Sequence, residues 1–385
     1  MNLTENWNET KDALVDGLEG NKKVVMEQTL ENTKQYLSET ASAGTTMAGN
    51  IATLNKVILP VIRRVMPTVI ANELVGVQPM TGPVGQIHTL RVRYAETFDS
   101  ATAGDEALSP FLIATGYSGN ASTNAADTTS TLEATAGKKL SIQILKQTVE
   151  AKTRKLSARW TFEAAQDANS MHGIDVEAEV MAALAQEITA EIDQEILASL
   201  RSLAGTPSLT YNQAGVSGTA TFVGDEHAAF AVLVNRAANL IAARTRRGAG
   251  NYLVVSPAML TVLQSATTSA FARTTEGPFE APTNTKFVGT LNGTMRVYAD
   301  QYASDSTVAL VGYKGSGEMD APAYYCPYIP LMSSGVVMDP STFEPVVSFM
   351  TRYGYTELSN QASSLGNAAD YVEGITINSG NLSFT

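Results

Sequence analysis

The sequence predicts an α+β fold from three patterns that follow one another along the chain. Apolar and polar residues alternate over residues 89–94, and a second strand-like run covers residues 140–149, so two strands half exposed to solvent are expected. Apolar residues at helical spacing fill residues 176–203. Helix and strand patterns then alternate over residues 205–320. A long helix beside strands, followed by a separate α/β unit, is typical of the α+β class.

Length and composition describe a globular chain. Its 385 residues suffice for two or three packed domains, and 44% of them are hydrophobic. No apolar run approaches the ~20 residues of a membrane-spanning helix, and the acidic N-terminus lacks the features of a secretory signal. We therefore expect a soluble protein of the cell interior. Cys326 is the single cysteine, so neither a disulfide nor a Cys-based zinc site can form within one chain.

The formal net charge of −12 argues against non-specific binding to nucleic acid, because that affinity depends on Lys and Arg displacing counterions from phosphates. An acidic chain suits a protein that must not adhere to nucleic acid. The simpler alternative is that the charge only confers solubility, and on charge alone this alternative is favoured.

The N-terminal part of the chain divides at a change of composition. In residues 1–39, apolar residues recur loosely at helical spacing and Gly20-Asn21 interrupts them, which predicts two short helices. Residues 40–46 are small and polar, as in an exposed arm. Residues 58–75 are apolar and contain two prolines, so two more short helices are expected, with Pro67 at a helix start.

Pro79, Gly82, Pro83 and Gly85 predict a rigid double turn ahead of the strand that ends near Tyr94. Proline presets φ, and glycine reaches backbone angles that other residues avoid. If either glycine adopts a positive φ, its substitution by valine should strain the turn and misdirect the strand.

Residues 97–139 are rich in Ala, Ser, Thr, Gly and Asp and hold few large apolar side chains. Such a composition does not support a core of its own, so we expect this stretch to become ordered only against a partner. Because it lies between two predicted strands, the whole segment should form a long two-stranded extension.

Beyond residue 150 the sequence predicts one long helix and a separate α/β unit. Asp175 can cap the first free amides of the long helix, with Glu177 and Glu179 near its positive end. The helix should run to about Leu203 and span roughly 40 Å. The alternation at residues 156–162 predicts a further strand and then a turn of helix. The α/β unit should contain helices over 226–246 and from Pro257, and strands at 252–255, 295–298 and 308–313.

The sequence shows no catalytic or metal-binding constellation. His88, His172 and His227 are scattered, and none has a second His or Cys at the spacing of metal ligands. His172 should make a structural hydrogen bond in a turn that starts a helix, and His227 should be solvated at a helix N-terminus. Cys326 lies in an apolar aromatic stretch and should be a core residue. No Gly-x-Ser-x-Gly elbow occurs.

Two glycine-containing stretches superficially resemble phosphate-binding loops. Gly248-Ala249-Gly250 closes a predicted helix and precedes a strand, whereas a dinucleotide loop follows a strand and opens a helix. Gly137-Lys138-Lys139 lacks the upstream Gly and the following Ser or Thr of a phosphate loop. We therefore expect no cofactor.

Five arginines are candidate contacts between copies of the chain. Arg63 and Arg64 are embedded in an apolar segment, and Arg244, Arg246 and Arg247 cluster at the end of a predicted helix. The cluster can contact acidic residues of a neighbouring copy. Simple exposure of these arginines to solvent is the alternative.

Several short islands occur in a characteristic order. They are Val75-Gly76-Val77-Gln78-Pro79-Met80-Thr81-Gly82-Pro83-Val84-Gly85-Gln86-Ile87, Ala165-Gln166-Asp167, His172-Gly173-Ile174-Asp175, Arg296-Val297-Tyr298-Ala299-Asp300-Gln301-Tyr302, Val311-Gly312-Tyr313-Lys314-Gly315, Glu318-Met319-Asp320-Ala321 and Thr351-Arg352-Tyr353-Gly354. In this order, and spread over most of the chain, they resemble the major capsid proteins of T-even-type tailed phages.

The resemblance implies the fold named for the Hong Kong 97 phage, in which an extended loop reaches over the neighbouring subunit and a long spine helix supports a peripheral domain. It implies a structural protein and not an enzyme, which self-assembles into hexamers of an icosahedral or prolate shell around double-stranded DNA. The implied partners are vertex, portal and scaffold proteins and a shell protease, with no sequence-specific DNA contact and no membrane. The implied location is the virion capsid, assembled in the host cytoplasm.

Two alternatives remain open. One is the pentameric vertex paralogue of the same family, which shares the fold. The other belongs to a different class and is a soluble α/β hydrolase built on residues 205–320.

The resemblance also implies a processing site. Shell proteases of such phages cut after Glu in the pattern Leu or Ile, any residue, Glu. Leu37-Ser38-Glu39 fits the pattern where the composition changes, and Leu3-Thr4-Glu5 fits it less distinctively. We therefore expect residues 1–39 to form a removable assembly segment directed to the shell interior.

These boundaries combine into one expected division of the chain. The ranges are 1–39, a helical and removable segment; 40–78, the N-terminal arm and short helices; 79–152, the extended loop with its strands; 153–204, the peripheral domain with the spine helix; 205–320, the axial domain; and 321–385, a return to the peripheral domain.

Overall fold

The computed structural model describes residues 7–42, 69–99, 101–105, 107, 114, 116–133, 136–173, 175–212, 223–245, 247–266, 271–273, 286–317, 320–342, 344–358 and 368–378. The helices in these ranges are α1 (Trp7–Val15), α2 (Asn21–Ser42), α3 (Ala71–Leu74), α4 (Thr129–Leu132), α5 (Phe162–His172), α6 (Val176–Ala204), α7 (Val223–Thr245) and α8 (Pro257–Ser265), with a 3₁₀ turn at Ala368–Tyr371. The strands are β1 (Gly76–Val77), β2 (Val84–Tyr94), β3 (Leu140–Glu150), β4 (Lys152–Arg159), β5 (Leu209–Tyr211), β6 (Tyr252–Val255), β7 (Phe271–Arg273), β8 (Lys286–Leu291), β9 (Met295–Ala299), β10 (Ala309–Gly312), β11 (Ala323–Ser333), β12 (Val337–Met338), β13 (Pro345–Glu357) and β14 (Val372–Ile377). Helices and strands are both abundant, which confirms the predicted α+β class.

The strands form two sheets and one separate hairpin. The five-stranded sheet has the order β1-β11-β13-β12, and β4 also pairs with β13. The seven-stranded sheet has the order β5-β14-β10-β6-β9-β8-β7. Within the described ranges, strands β2 and β3 pair only with each other, in an antiparallel register from Val84↔Glu150 to Tyr94↔Leu140. In these ranges, no helix is long and apolar enough to cross a bilayer.

Helix α6 has the start and end that the sequence predicts. The Asp175 side chain accepts hydrogen bonds from the amides of Glu177 at 3.1 Å and Ala178 at 3.4 Å. Gly205, with φ 64°, follows the last helical residue. The 29 residues of the helix span about 43 Å.

Helix α6 lies between the two sheets. Ile188, Ile192 and Ile196 belong to one core cluster together with Phe349 of β13 and Val254 of β6. Each of these buried isoleucines stabilises the fold by about 1.5–3 kcal/mol relative to an exposed position. The helix therefore joins both sheets into one continuous core.

Helices α7 and α8 cover the other face of the seven-stranded sheet. Leu310 of β10 packs in the cluster of α6, whereas its neighbour Val311 packs in the cluster of α7 and α8. Helix α8 begins at Pro257, and Ser256 Oγ accepts from the amide of Met259 at 3.4 Å, as expected for a helix start. The predicted helix 226–246 is present as α7, and the predicted strands 252–255, 295–298 and 308–313 are present as β6, β9 and β10.

Helices α1 and α2 confirm the two predicted N-terminal helices but not the predicted junction. Trp7, Met26 and Leu30 are buried in the same core cluster as α6. Helix α2 continues through Glu39 to Ser42, so the change of composition does not end the helix. Its last residues are Thr, Ala and Ser, and neither Gly nor Pro is present to break it.

Helix α5 is longer than the single turn that the sequence predicts. Thr161 caps its start by accepting from the amide of Ala164, and Gly173, with φ 64°, ends it. His172 therefore lies exposed in the last turn of a helix, and the expectation that it sits in a turn that starts a helix is wrong.

The C-terminal range does not belong to one sheet. Strands β11, β12 and β13 lie in the five-stranded sheet, but β14 pairs with β10 and β5 in the seven-stranded sheet. The range 321–385, expected to return to the peripheral domain, therefore contributes strands to both sheets, and Val372–Ile377 lies in the seven-stranded one. A strand pattern does not specify which sheet edge the strand will join.

Candidate assembly interface

The hairpin of β2 and β3 is held at its base. The amide of Ala151 donates to Pro83 O at 2.9 Å. Gln147 Nε2 donates to Thr356 Oγ1 at 2.7 Å and to the carbonyl of Glu357 at 2.6 Å. The Ala151 bond closes the hairpin at its base, and the two Gln147 bonds attach its lower part to β13 of the five-stranded sheet.

An apolar stripe runs along the exposed part of this hairpin. Leu140, Ile142 and Ile144 alternate along β3 and therefore point to the same face. Their exposed fractions are 53%, 69% and 66%. Three large apolar side chains in a row on one exposed strand indicate a surface that another protein covers.

The far end of the hairpin carries a small core. The rings of Tyr94 and Tyr117 lie 4.6 Å apart and pack with Ala101, Ala107 and Ala114. Tyr117 Oη also donates to Lys139 O at 2.7 Å. The alanines and Tyr117 of the stretch 97–139 are thus buried together with Tyr94 of β2, which lies outside the stretch and supplies the second aromatic ring.

The turn with Pro79, Gly82, Pro83 and Gly85 precedes and enters β2, but its glycines are not strained. Neither Gly82 nor Gly85 has a positive φ. A Cβ at Gly82 would meet nothing closer than 4.0 Å, and one at Gly85 would make an ordinary 3.5 Å contact with Met80. The condition for strain, a positive φ, is therefore not met at either glycine, and the conditional expectation for valine does not apply.

Two other glycines, both in the islands of resemblance, do require the absence of a side chain. A Cβ at Gly354 of β13 would collide with Val149 of the hairpin. A Cβ at Gly312 of β10 would collide with the ring of Tyr252 on β6. These glycines allow the hairpin and neighbouring strands to pack closely.

The two described arginines of the predicted contact cluster pair within the chain. Arg244 Nη1 lies 2.5 Å from Glu373 Oε2, and Arg247 Nη1 lies 2.7 Å from Asp320 Oδ1. Both arginines thus have acidic partners that are distant in sequence, and their role in contacts between copies stays a prediction. The other predicted features lie outside the described residues: Arg63, Arg64, Arg246 and the helix start at Pro67.

The predicted processing residues Leu37, Ser38 and Glu39 lie in the helical backbone near the end of α2. Upstream of them, α2 is attached to the sheet by Asn32, whose Nδ2 donates to Met80 O at 2.7 Å and to Tyr328 O at 2.9 Å. Asn32 is buried. Cleavage after Glu39 therefore requires local unfolding of the last helical turns, and cutting alone does not break the buried contacts.

Glu73 joins three elements by charge. Its carboxylate pairs with Lys22 of α2 at 2.9 Å and with Arg296 of β9 at 2.8 Å. Burial alone would raise the pKa of Glu73, but the hydrogen bond from Lys22 and the charges of Lys22, Arg296 and Lys314 outweigh it and lower the pKa. Lys314 Nζ also donates to Asn72 O at 2.8 Å, so the N-terminal helices and the seven-stranded sheet are linked through α3.

A pair of buried carboxyl groups lies where α6 meets the seven-stranded sheet. Asp300 is fully buried and accepts from Arg201 and from Gln194, each at 2.8 Å. Asp193 is 1% exposed; its Oδ1 accepts from the amide of Ile70 at 2.8 Å, and its Oδ2 has no partner among the described residues. Burial, with a further contribution from the Asp300 charge, raises the pKa of Asp193 to about 7 although the Ile70 bond opposes it.

The described residues do not form a catalytic or metal site. His227 is buried, with Nδ1 2.5 Å from Ser265 Oγ, so the expectation of a solvated histidine is wrong. Ser265 Oγ also donates to Val262 O at 3.2 Å. Burial raises the pKa of the Cys326 thiol to about 11, which confirms it as a core residue. No group of three His, Cys, Asp or Glu in the described ranges could hold a metal ion.

The fold thus consists of two sheets that share helix α6 and an anchored hairpin, and the apolar stripe of this hairpin is suited to packing against another protein. The family model described as "Major capsid protein Gp23" matches residues 51–137 and 111–377. The major capsid protein of Vibrio phage KVP40 is 30% identical over 414 residues, covering 83% of this chain and 80% of the relative. That of Enterobacteria phage T4 is 30% identical over 413 residues, covering 83% and 78%.

The chain belongs to the Gp23 family of major capsid proteins and is a structural component of the shell of a tailed-phage virion, not an enzyme. A solved capsid of Myoviridae phage XM1 is 11% identical, with a TM-score of 0.45, and the match covers 80% of this chain and 92% of that one. Family membership agrees with the Hong Kong 97 phage-like architecture that the resemblance implied.

Proposed function

We propose that the chain forms hexameric capsomers that tile a closed head around double-stranded DNA. The observation that supports this best is the exposed stripe of Leu140, Ile142 and Ile144 on a hairpin whose base is held by the five-stranded sheet. A subunit that covers its neighbour with this stripe repeats the same contact around a symmetric ring. Many such contacts add up where a single one would be weak.

The negative net charge of the chain agrees with a shell protein that encloses DNA without binding it tightly. With a net charge of −12, the protein gains little from contact with phosphates, so packaged DNA can move against it. Vertex and portal proteins would complete the head at the positions that hexamers do not fill. Assembly of the head would take place in the host cytoplasm.

The domain roles are part of the same proposal. We infer that residues 205–320, together with β14, form the axial domain around the symmetry axis of each capsomer. Residues 153–204 and the strands β11, β12 and β13 would form the peripheral domain. The shared helix α6 would keep the two domains in a fixed relation during assembly.

Electron microscopy of particles assembled from the expressed chain tests the hexamer. Class averages of capsomers are expected to show six-fold rings within closed shells. Rings with only five-fold symmetry would identify the vertex paralogue instead. A protein that stays monodisperse and monomeric under all assembly conditions would contradict the proposed function and would justify a hydrolase screen.

We also propose that residues 1–39 are an assembly segment that faces the shell interior, binds a scaffold protein and is removed by a shell protease. Cutting after Glu39 is expected to be followed by release of the segment, which needs the Lys22 and Asn32 contacts to break. Removal would free interior volume before DNA enters.

Intact-mass analysis of subunits from DNA-filled virions checks the cleavage. A chain that begins at Thr40 is expected. The Glu39→Gln variant should remain full length, whereas Glu5→Gln should be cut normally and serves as the control for the second match to the pattern. Full-length subunits in filled virions would show that residues 1–39 are a permanent part of the wall.

A further inference from the structure

Helices α1 and α2 are packed into the subunit core and do not extend from it as a tail. Apolar side chains of both helices lie in the core cluster that also contains α6: Trp7, Val15, Val25, Met26 and Leu30. Met26 and Leu30 are 1% and 0% exposed. Trp7 Nε1 donates to Glu31 Oε2 at 3.1 Å, which attaches α1 to α2. The two helices therefore bind the core as one unit.

Asparagine side chains of α2 add hydrogen bonds to the five-stranded sheet and the chain beside it. Asn32 Nδ2 donates to Met80 O at 2.7 Å and to Tyr328 O at 2.9 Å. Asn21 Nδ2 donates to Val77 O at 3.1 Å. Asn32 is buried, and so is its bond to Met80. If α2 left the subunit, the carbonyl of Met80 would lose this donor, which is unfavourable for a buried polar group.

An ion pair connects α2 to the seven-stranded sheet as well. Lys22 pairs with Glu73 of α3 at 2.9 Å, and Glu73 also pairs with Arg296 of β9 at 2.8 Å. The side chains of Lys22 and Glu73 are 39% and 31% exposed, so solvent screens this pair and it contributes less than the buried apolar contacts. Binding of α1 and α2 should therefore depend only weakly on salt.

These contacts all lie upstream of the processing residues. Asn32, the last of them, precedes Glu39 by about two helical turns. A cut after Glu39 breaks one peptide bond and removes none of the contacts. The chain connection only keeps the segment at a high effective concentration near its binding surface, and the contacts themselves supply the affinity.

We propose that residues 1–39 stay bound to the subunit as a separate peptide after the cut, so that cutting and release are two steps. The inference rests on the proposed processing of the chain and states what the cut leaves behind. Because the bound peptide still contacts both sheets, a cut subunit keeps the packing of the uncut one. Release of the peptide, and not the cut, then frees interior volume and exposes the apolar surface under α1 and α2.

An engineered cut in purified, dissociated subunits tests the retention. The recognition sequence of a site-specific protease is inserted after Glu39 in the full chain, so the natural shell protease is not required. After complete cutting, gel filtration is expected to show both pieces at the elution position of the uncut subunit, while denaturing electrophoresis resolves two bands. Co-elution should persist at high salt, since the apolar contacts dominate.

Substitutions on α2 show which contacts retain the peptide. Asn32→Ala should release the peptide about tenfold faster than wild type, because two hydrogen bonds are lost. Lys23→Ala, at an exposed position of the same helix, is the matched control and should release it at the wild-type rate. Met26→Asp/Leu30→Asp should separate the two pieces during gel filtration. Val24→Asp adds a carboxylate at a position that is 55% exposed and should leave them together.

The results separate the retention from the processing that it follows. Immediate separation of the cut wild-type pieces, or equal release rates for Asn32→Ala and Lys23→Ala, would overturn the retained peptide. These rates decide the question even where the Met26→Asp/Leu30→Asp subunit does not fold. Full-length subunits in filled virions, together with a retained peptide after the engineered cut, would instead reject the processing and support the binding of α1 and α2.

Discussion

Replacing both Ile142 and Ile144 with aspartate is expected to yield folded subunits that do not assemble. The two side chains are 69% and 66% exposed, so their loss removes little packing within the subunit. In a shell they would be covered, and each buried, unpaired carboxylate costs several kcal/mol at every copy of the contact. Sedimentation should show subunits without particles, and their thermal unfolding should match that of dissociated wild-type subunits.

The same strand offers a matched control. Ser141 and Gln143 lie on the opposite face of β3, so Ser141→Asp/Gln143→Asp makes the same change in charge away from the stripe. This control should assemble, as should the conservative Ile142→Val/Ile144→Val variant. Wild-type particle yield from the Ile→Asp double variant would show that the stripe is not an assembly contact.

Asp193→Asn is expected to stabilise the subunit at pH 8 and to have little effect at pH 5. The folded state raises the pKa of Asp193 from its ordinary value of 3.8 to about 7, so it binds the proton more tightly than the unfolded chain does. The stabilisation from this proton is complete at low pH and is lost as the pH rises from about 4 through about 7. Above that range the carboxylate of Asp193 is a buried charge beside Asp300. Removing this charge by the Asp193→Asn change should raise the free energy of unfolding by on the order of 2 kcal/mol.

Urea unfolding of dissociated subunits between pH 5 and pH 8 measures this effect. Asparagine keeps an oxygen that accepts from the Ile70 amide, so the difference between wild type and variant should grow with pH. Asp193→Ala is the control, because it also loses that hydrogen bond and should destabilise the subunit at pH 5. An equal difference between Asp193→Asn and wild type at every pH would contradict the assignment of the titration to Asp193.

Local signals in the sequence determined helix starts and many strands. Asp175, Ser256 and Pro257 act within the first turn of their own helices, and Gly205 ends one. Such effects depend on neighbours within four residues, so they can be recognised without the fold. The ordered islands, spread over most of the chain, likewise sufficed to indicate the capsid family, because they can be compared position by position.

Only the tertiary structure decided which surfaces face solvent and which groups meet. The alternation in β3 predicts an apolar face, but the same pattern fits a buried strand and the exposed stripe of Ile142 and Ile144. Arg244 pairs with Glu373, which lies 129 positions away in the sequence. Asp193 accepts a hydrogen bond from the amide of Ile70, which lies 123 positions away. Such pairings depend on how distant elements pack and not on local spacing, and burial then sets the charge of Asp193. For this protein, the sequence alone determined the elements and the family, whereas packing between distant elements decided the surface available for assembly.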